Sequence, residues 1–274
     1  MSIKSILVRQ NVDQRSDMRL DIAMDLASKH DSHLTALYVV TLPRLQAYIR
    51  SQIGEDFLRS QTDKARAAAE EARAACEERA QRAGISFEWR VVEGDDRAVM
   101  DLHSRYADLA IVGQGESGQE HANGVYDLAE ELVLTAGRPV LTIPYAGNFK
   151  TIGERTMVSW DGSREAARAV HDAMPLLKQA KQVIVLSINP PSGDHIAGAD
   201  ICSHLARHGV TAEAHSSVAK DIEVGDALLS AMADFSVDLT IMGAYGHSRL
   251  RELALGGATH HMLRHMTAPV VMSH

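Results

Sequence analysis

The sequence predicts an α/β protein made of two tandem doubly wound domains, each a five-stranded parallel sheet with helices on both faces. Three observations predict it. Short apolar runs alternate with helix-period segments along the whole chain, the pattern of a parallel sheet with crossover helices. The pattern is also written twice. Asp108-Leu109-Ala110-Ile111-Val112-Gly113 returns as Asp238-Leu239-Thr240-Ile241-Met242-Gly243, and Pro139-Val140-Leu141 returns as Pro269-Val270-Val271, both 130 residues later. Third, an apolar run at Leu239–Met242 feeds a glycine turn, where open parallel sheets take their ligands.

In the first copy the strands are expected at 3–9, 34–40, 86–92, 108–112 and 139–143, with helices at 15–30, about 44–83, 95–106 and 125–136. In the second copy the strands are expected at 155–160, 182–188, 210–216, 238–242 and 269–273, with helices at 163–179, 197–208, 222–235 and 257–266. Near the start of each copy Val8 aligns with Val158, and Ala23-Met24 with Ala173-Met174, at a spacing of 150. The larger spacing reflects a longer helical insert in the first copy. The expected domains are 1–146 and 154–274, joined by a linker from Tyr145 to Glu154 that holds Gly147, Asn148 and Gly153.

The insert runs from Pro43 to Gly84 and ends in an alanine-rich stretch with high helix propensity. Arg66/Glu70, Arg73/Glu77 and Glu78/Arg82 have the spacing of ion pairs on one helix. The reading is a solvated helix packed on a narrow alanine stripe. The alternative is a partner-binding arm with Tyr48, Ile49, Phe57 and Leu58 as its apolar part.

Composition bounds the function. The 274 residues are 45% hydrophobic but only 4% aromatic, so aliphatic side chains must build the core. A net charge of −8 argues against a general nucleic-acid binder, which needs a basic face. The two cysteines, Cys76 and Cys202, have no zinc or disulfide spacing and suggest a reducing compartment. The opening residues read as a strand and not a signal peptide, and no run reaches the ~18 apolar residues of a membrane helix. The chain is expected to be cytoplasmic.

The functional signal is Gly243-Ala244-Tyr245-Gly246, then nine residues, then Gly256-Gly257-Ala258-Thr259 at the start of a helix. Glycines let backbone N–H groups approach a phosphate, and a helix start offers unpaired donors and a positive dipole end. Between the glycines, His247, Ser248 and Arg249 are placed to face phosphates, and Arg251 follows. A guanidinium suits that task, although solvated loop charges read the same way.

Together with Trp160-Asp161-Gly162-Ser163 after the first strand of the second copy, and Pro269-Val270-Val271 after the motif, this resembles the universal stress protein family in its tandem form. The resemblance covers the whole chain. It implies a Rossmann-like, adenine-nucleotide-α-hydrolase-like fold and an ATP ligand, with Mg as a possible companion. Asp161 matches the family's acidic residue that reaches the ribose or adenine. A turn and helix cap is the competing reading of Asp161-Gly162-Ser163. The family's geometry implies that backbone around Ile188 meets the adenine edge. The chain departs from the family at Gly257, where binding members carry Ser or Thr. Losing such a hydroxyl's bond to a charged acceptor costs about 1.5–3 kcal/mol. The backbone N–H groups of Gly257, Ala258 and Thr259 remain.

The first copy lacks the motif. Gly113 is kept, but Gly246, Gly256, Gly257 and Asp161 correspond to Glu116, Tyr126, Asp127 and Asn11. Acidic and bulky groups would stand where phosphates should sit, so the first copy is read as a degenerate structural one.

Other chemistry is weakly signalled. His204/His208 and His261/His265 have i, i+4 spacing but no evident third ligand, and read as surface histidines. There is no Gly-x-Ser-x-Gly elbow and no Walker sequence. Catalysis is therefore not expected, although the resemblance allows a slow ATPase. A nucleotide-independent interaction scaffold is the main alternative to an adenine-nucleotide switch. The last strand of each copy is apolar and would be hazardous as an open edge. Antiparallel pairing of the two within the chain, as a pseudo-dimer, would remove that hazard. A homo-oligomer and an unidentified protein partner are also expected.

Overall fold

The computed structural model describes residues 2–11, 13, 15–41, 55–115, 128–149, 151–190, 196–220, 222–246 and 257–274. The chain divides into two compact units, one of Ile3–Ala110 and one of Met1–Ser2 with Ile111–His274.

In the unit Ile3–Ala110 the order is β1 (Ser5–Gln10), α1 (Ser16–His30), β2 (His33–Val40), α2 (Glu55–Ala83), β3 (Ser86–Glu93) and α3 (Asp96–Ser104). β1 pairs with β2 and β2 with β3, all parallel, in registers that start at Ser5↔His33 and His33↔Ser86. The central strands are apolar on both faces: Ile6, Leu7, Val8, Leu34, Ala36 and Leu37 are buried. This continuous burial is what a parallel sheet covered on both sides requires.

Helix α2 packs on a narrow stripe, as expected. Ala69, Cys76 and Ala80 are buried, and Ala65 and Ala69 lie against Tyr38, Val40 and Trp89. Arg73–Glu77 (2.7 Å) and Arg82–Glu78 (3.8 Å) form as predicted. Arg66 does not pair with Glu70. It reaches Glu93 at the end of β3, because a guanidinium beside a strand end meets a carboxylate that also helps fix the helix to the sheet. Arg79 does the same for α1 through Asp17 (2.7 Å) and Asp21. Phe57 is 53% exposed. Tyr48 and Ile49 lie outside the described residues, as does the Leu58 side chain.

β4 (Leu109–Gly113) runs across the division between the units. The larger unit continues with α4 (Leu128–Thr135), β5 (Val140–Ile143), β6 (Arg155–Ser159), α5 (Arg164–Asp172), α6 (Met174–Leu177), β7 (Gln182–Ile188), α7 (Ala199–Arg207), β8 (Ala212–Ser217), α8 (Val224–Asp234), β9 (Leu239–Gly243), α9 (Ala258–His265) and β10 (Val270–Ser273). Its strands lie in the order β5-β10-β9-β6-β7-β8. β9 runs parallel to β10 and β6, and β7 parallel to β6 and β8, whereas β5 and β10 run antiparallel with Val270↔Thr142 and Met272↔Val140. The intrachain pairing expected for the two last strands is thus present. The chain leaves β6 for β7 on one side and returns to β9 on the other, so a switch point lies between β6 and β9.

The helix expected over 163–179 is two helices that break at Ala173. Pro175 opens the second one, where its missing N–H is harmless, whereas inside one long helix it would delete a bond. The expected strand at 210–216 begins at Ala212, since Val210 N–H still bonds Leu205 O and closes α7.

The recurring Asp-Leu-x-Ile-x-Gly has a structural origin that the sequence did not disclose. Asp238 Oδ1 accepts the Gly153 and Arg155 N–H groups at 3.1 and 2.9 Å, and Oδ2 accepts Glu154 N–H at 3.0 Å. Asp108 Oδ2 likewise accepts Lys4 and Ser5 N–H at 2.8 and 3.0 Å. Each carboxylate collects the backbone donors that enter a first strand. Charge-assisted bonds of this kind contribute about 1.5–3 kcal/mol. Asp238→Ala is expected to destabilise the protein by about 2 kcal/mol, read as a lowered midpoint in urea denaturation. A midpoint equal to wild type would contradict this role.

Candidate functional site

The carboxyl ends of β6 and β9 flank the switch point. After β6 the chain turns through Asp161 and Gly162, whose φ of +77° is left-handed. Asp161 Oδ1 accepts Ser163 N–H at 2.9 Å, and Ser163 Oγ accepts Ala166 N–H at 3.1 Å as the cap of α5. The turn-and-cap reading therefore holds. The Asp161 side chain stands exposed at this rim.

β9 ends in the glycine loop, and the reason for its first glycine is packing. A Cβ on Gly243 would lie 2.4 Å from Ala166 N and 2.5 Å from Glu165 C. The first turn of α5 sits directly on the strand end. A Cβ on Gly246 would lie 3.3 Å from Glu165 Oε2 and 3.6 Å from Ser163 Oγ, so this glycine also lies over α5. Between them Ala244 N–H bonds Ser273 O at 2.9 Å. Tyr245 takes a left-handed φ of +56° and gives its N–H to Thr259 Oγ1 at 3.1 Å.

That bond brings α9 to the loop. Gly257 is its N-cap and supplies no side-chain acceptor, while its carbonyl accepts His261 N–H at 3.1 Å. The first-turn N–H groups at Ala258 and Thr259 belong to the class that a helix cannot satisfy internally. Thr259 is buried, and its hydroxyl oxygen accepts the Tyr245 N–H. Ile188 stands half-buried at the end of β7, the strand next to β6, and the following Asn189 clamps Ala219 with both ends of its amide. The geometry thus brings Asp161, Gly243, Gly246, Gly257, Ala258 and Thr259 together, with Ile188 one strand away. Ser248, Arg249 and Gly256, with His247 and Arg251, lie outside the described residues.

Two groups here escaped sequence reasoning. Glu165 is buried under the loop and bonded to Arg164. Its spacing marks only an acidic first turn of a helix, which favours the dipole anywhere. Tyr245 is also buried, and its hydroxyl lies 3.4 Å from Glu130 Oε1, which is bonded to His260 Nδ1 as well.

In the unit Ile3–Ala110 the corresponding strand end is filled by a side chain. Arg19 of α1 is 2% exposed. It donates to Asp13 Oδ1 and Oδ2 at 3.2 and 2.8 Å and to Asn11 Oδ1. Asn11 is the counterpart of Asp161, so this guanidinium uses the group a ligand would need. Burial acts to raise the Asp13 pKa, but the hydrogen bond and charge of Arg19 prevail and hold it below the usual carboxylate range. Glu116, Tyr126 and Asp127 lie outside the described residues. A cavity of about 400 Å³ in this unit, lined by Lys4, Asp31, His33 and Ser86, opens at the amino ends of the strands, away from the ligand end.

Among the described residues no three His, Cys, Asp or Glu side chains form a metal cluster, and no helix is long and apolar enough to cross a membrane.

Comparison with known proteins bears on this geometry. Residues 154–274 match the model of the Universal stress protein family. A universal stress protein of Synechocystis sp. is 25% identical over 169 residues, 60% of this chain and 57% of that protein. The match thus spans somewhat over half of that relative's length. A universal stress protein from Archaeoglobus fulgidus shares the fold with a TM-score of 0.80 at 16% identity, over 99% of this chain and 96% of that one. A putative universal stress protein from Pseudomonas aeruginosa gives 0.62 at 17% identity, over 99% and 93%.

Two outcomes follow from the packing. Gly243→Ala is expected to lower stability by about 1–3 kcal/mol, because the new methyl meets backbone that cannot yield, and thermal unfolding in the absence of any ligand reads it. Asp13→Asn leaves the Arg19 charge buried without its counter-ion and is expected to cost about 3 kcal/mol. The Asp13 contribution is complete above its unfolded pKa of about 3.9 and disappears as pH falls through the lower folded value. The gap between wild type and variant should therefore close as pH falls below the usual carboxylate range; a gap that stays constant through acid titration would contradict the pairing.

Proposed function

We propose, for a chain that belongs to the universal stress protein family through its residues 154–274, that this second copy binds an adenine nucleotide as a regulatory ligand. Residues 1–146 act as its degenerate partner copy. ATP, with or without Mg, is the ligand the resemblance implies, and the cytoplasm the expected compartment. The nucleotide shifts stability or partner affinity by mass action and is not turned over as a substrate. A homo-oligomer and a protein partner complete the reading.

One observation carries it. A glycine loop with a left-handed Tyr245, a carboxylate-bearing turn and a helix start whose cap residue has no side chain converge at the switch point of a parallel sheet. Backbone donors at such a place suit a phosphate, and a carboxylate at the strand end suits ribose hydroxyls. The copies also match element by element. β4 and β9, α4 and α9, and β5 and β10 start and end at the same 130-residue spacing.

A nucleotide-independent scaffold is the second reading. It is favoured by Gly257, which brings no hydroxyl. The discriminating experiment is thermal unfolding with AMP, ADP or ATP at millimolar concentration. Ligand at about 100 times its Kd stabilises by about 2.7 kcal/mol, a rise of several degrees. Gly246→Glu should abolish the rise. No rise with any of the three nucleotides would establish the scaffold instead.

A further inference from the structure

The antiparallel contact between β5 and β10 is two-fold symmetric in its backbone. Thr142 faces Val270, Leu141 faces Val271 and Val140 faces Met272. At the 130-residue spacing of the copies, Leu141 and Val271 are equivalent residues, so the axis passes between them. The equivalent helices α4 and α9 meet beside the same contact. A ladder of this symmetry fits two first copies or two second copies as well as one of each, and two like copies belong to different chains. The backbone by itself therefore does not choose a partner. The side chains around the axis do. Glu130 of α4 is 4% exposed, and two groups of the second copy bond it, His260 Nδ1 and the Tyr245 hydroxyl at 3.4 Å. A carboxylate only accepts, so the ring nitrogen carries the proton. Two first copies would put a second Glu130 where His260 stands and Gly115 where Tyr245 stands, since these are the equivalent positions. Two buried carboxylates would then face each other without a donor. Two second copies would oppose His260 to His260 with no carboxylate between them. They would also have Ala244 in place of Gln114, whose amide donates to Leu263 O at 2.9 Å. Each like pairing loses polar bonds that the unlike pairing makes.

We propose that the Glu130–His260 pair selects the partner of the last-strand surface, which accepts the unlike copy of the tandem chain and rejects a like copy from a second chain. Like pairing at both copies would join chains into dimers or open strings. The pair keeps the last strands out of such assemblies, and a homo-oligomer of whole chains then uses another surface. Discrimination of this kind comes as much from contacts that fail in the wrong complex as from those made in the right one. The covalent link adds to it by raising the effective concentration of the unlike copy to the order of 1 mM. The proposal needs no nucleotide and stands apart from the ligand reading above.

The test is urea denaturation and sedimentation of the full chain. Glu130→His places two imidazoles at the axis, as two second copies would. His260→Glu places two carboxylates there, as two first copies would. The exchanged chain, Glu130→His with His260→Glu, restores one of each. Both single variants should lower the urea midpoint, and the exchanged chain should recover most of the loss, a coupling of about tenfold in the unfolding equilibrium constant. At a chain concentration near about 1 mM the single variants should sediment in part as larger species, whereas the exchanged chain should match wild type, whatever size wild type has. An exchanged chain that loses as much stability as the two single changes together overturns the pairing. Single variants that sediment as wild type does at every concentration overturn the choice of partner. If His260→Glu does not fold, Glu130→His and the exchanged chain carry the same comparison, in which recovery supports the proposal and its absence overturns it.

Discussion

The antiparallel register of β5 against β10 is the constraint from which the larger unit is built. Val140, Leu141, Thr142, Val270, Val271 and Met272 are all fully buried, so neither strand survives as an edge. An apolar strand of this kind left open would recruit other chains. The pairing also fixes what lies beside it. Gln114, just past β4, donates to Leu263 O at 2.9 Å and accepts from Tyr145 N–H at 3.1 Å, which ties the segment after β5 to α9. Glu130 on α4 meets His260 on α9, residues at equivalent positions of the two copies. This is why the compact unit begins at Ile111 and not at the sequence boundary near 146–154. Contacts follow the strand pairing, whereas the repeat records which residues were copied together.

The same pairing reaches the glycine loop. Tyr245 holds its left-handed backbone through Thr259, packs edge-on against His274, and reaches Glu130 with its hydroxyl. The loop geometry is set by side chains on α4 and α9 and not by the glycines alone. Gly243 in turn exists for the approach of α5. Gly113 keeps the equivalent position in the copy that lacks the rest of the motif, which fits a packing role better than a phosphate role. A glycine motif in a sequence mixes residues that admit a ligand with residues that admit a helix, and only the packing around each Cα separates them.

The elements were legible because each covered strand is a continuous apolar run and each helix has its own period. Every described strand lies within two residues of its expected bounds at either end. The break at Ala173 leaves little trace in the sequence, because a proline in the first turn of a helix does not interrupt the apolar spacing. Polar partners were less legible. Arg66 had a carboxylate four residues away and took one on β3, since tertiary distance and not sequence spacing decides between exposed pairs. Asp108 and Asp238 stood in the most visible repeat in the chain, yet their acceptor role needs the backbone of a strand 83 to 104 residues away. Nothing in the helix pattern of α1 distinguishes Arg19 from a solvated charge, and its burial depends on Asn11 and Asp13 folding over it.

The two copies have met one electrostatic problem in different ways. A strand end beside a helix start is a positive, donor-rich place that attracts an anion. In the first copy a carboxylate satisfies it from within, because Asp13 lies beside the start of α1 and holds Arg19 across the strand end. In the second copy the helix start of α5 is met by Ser163 and by the buried Glu165, while α9 keeps a bare glycine cap. An internal carboxylate competes with any external phosphate for the same positive potential. The first copy carries that competition to completion with an ion pair, and the second carries it halfway.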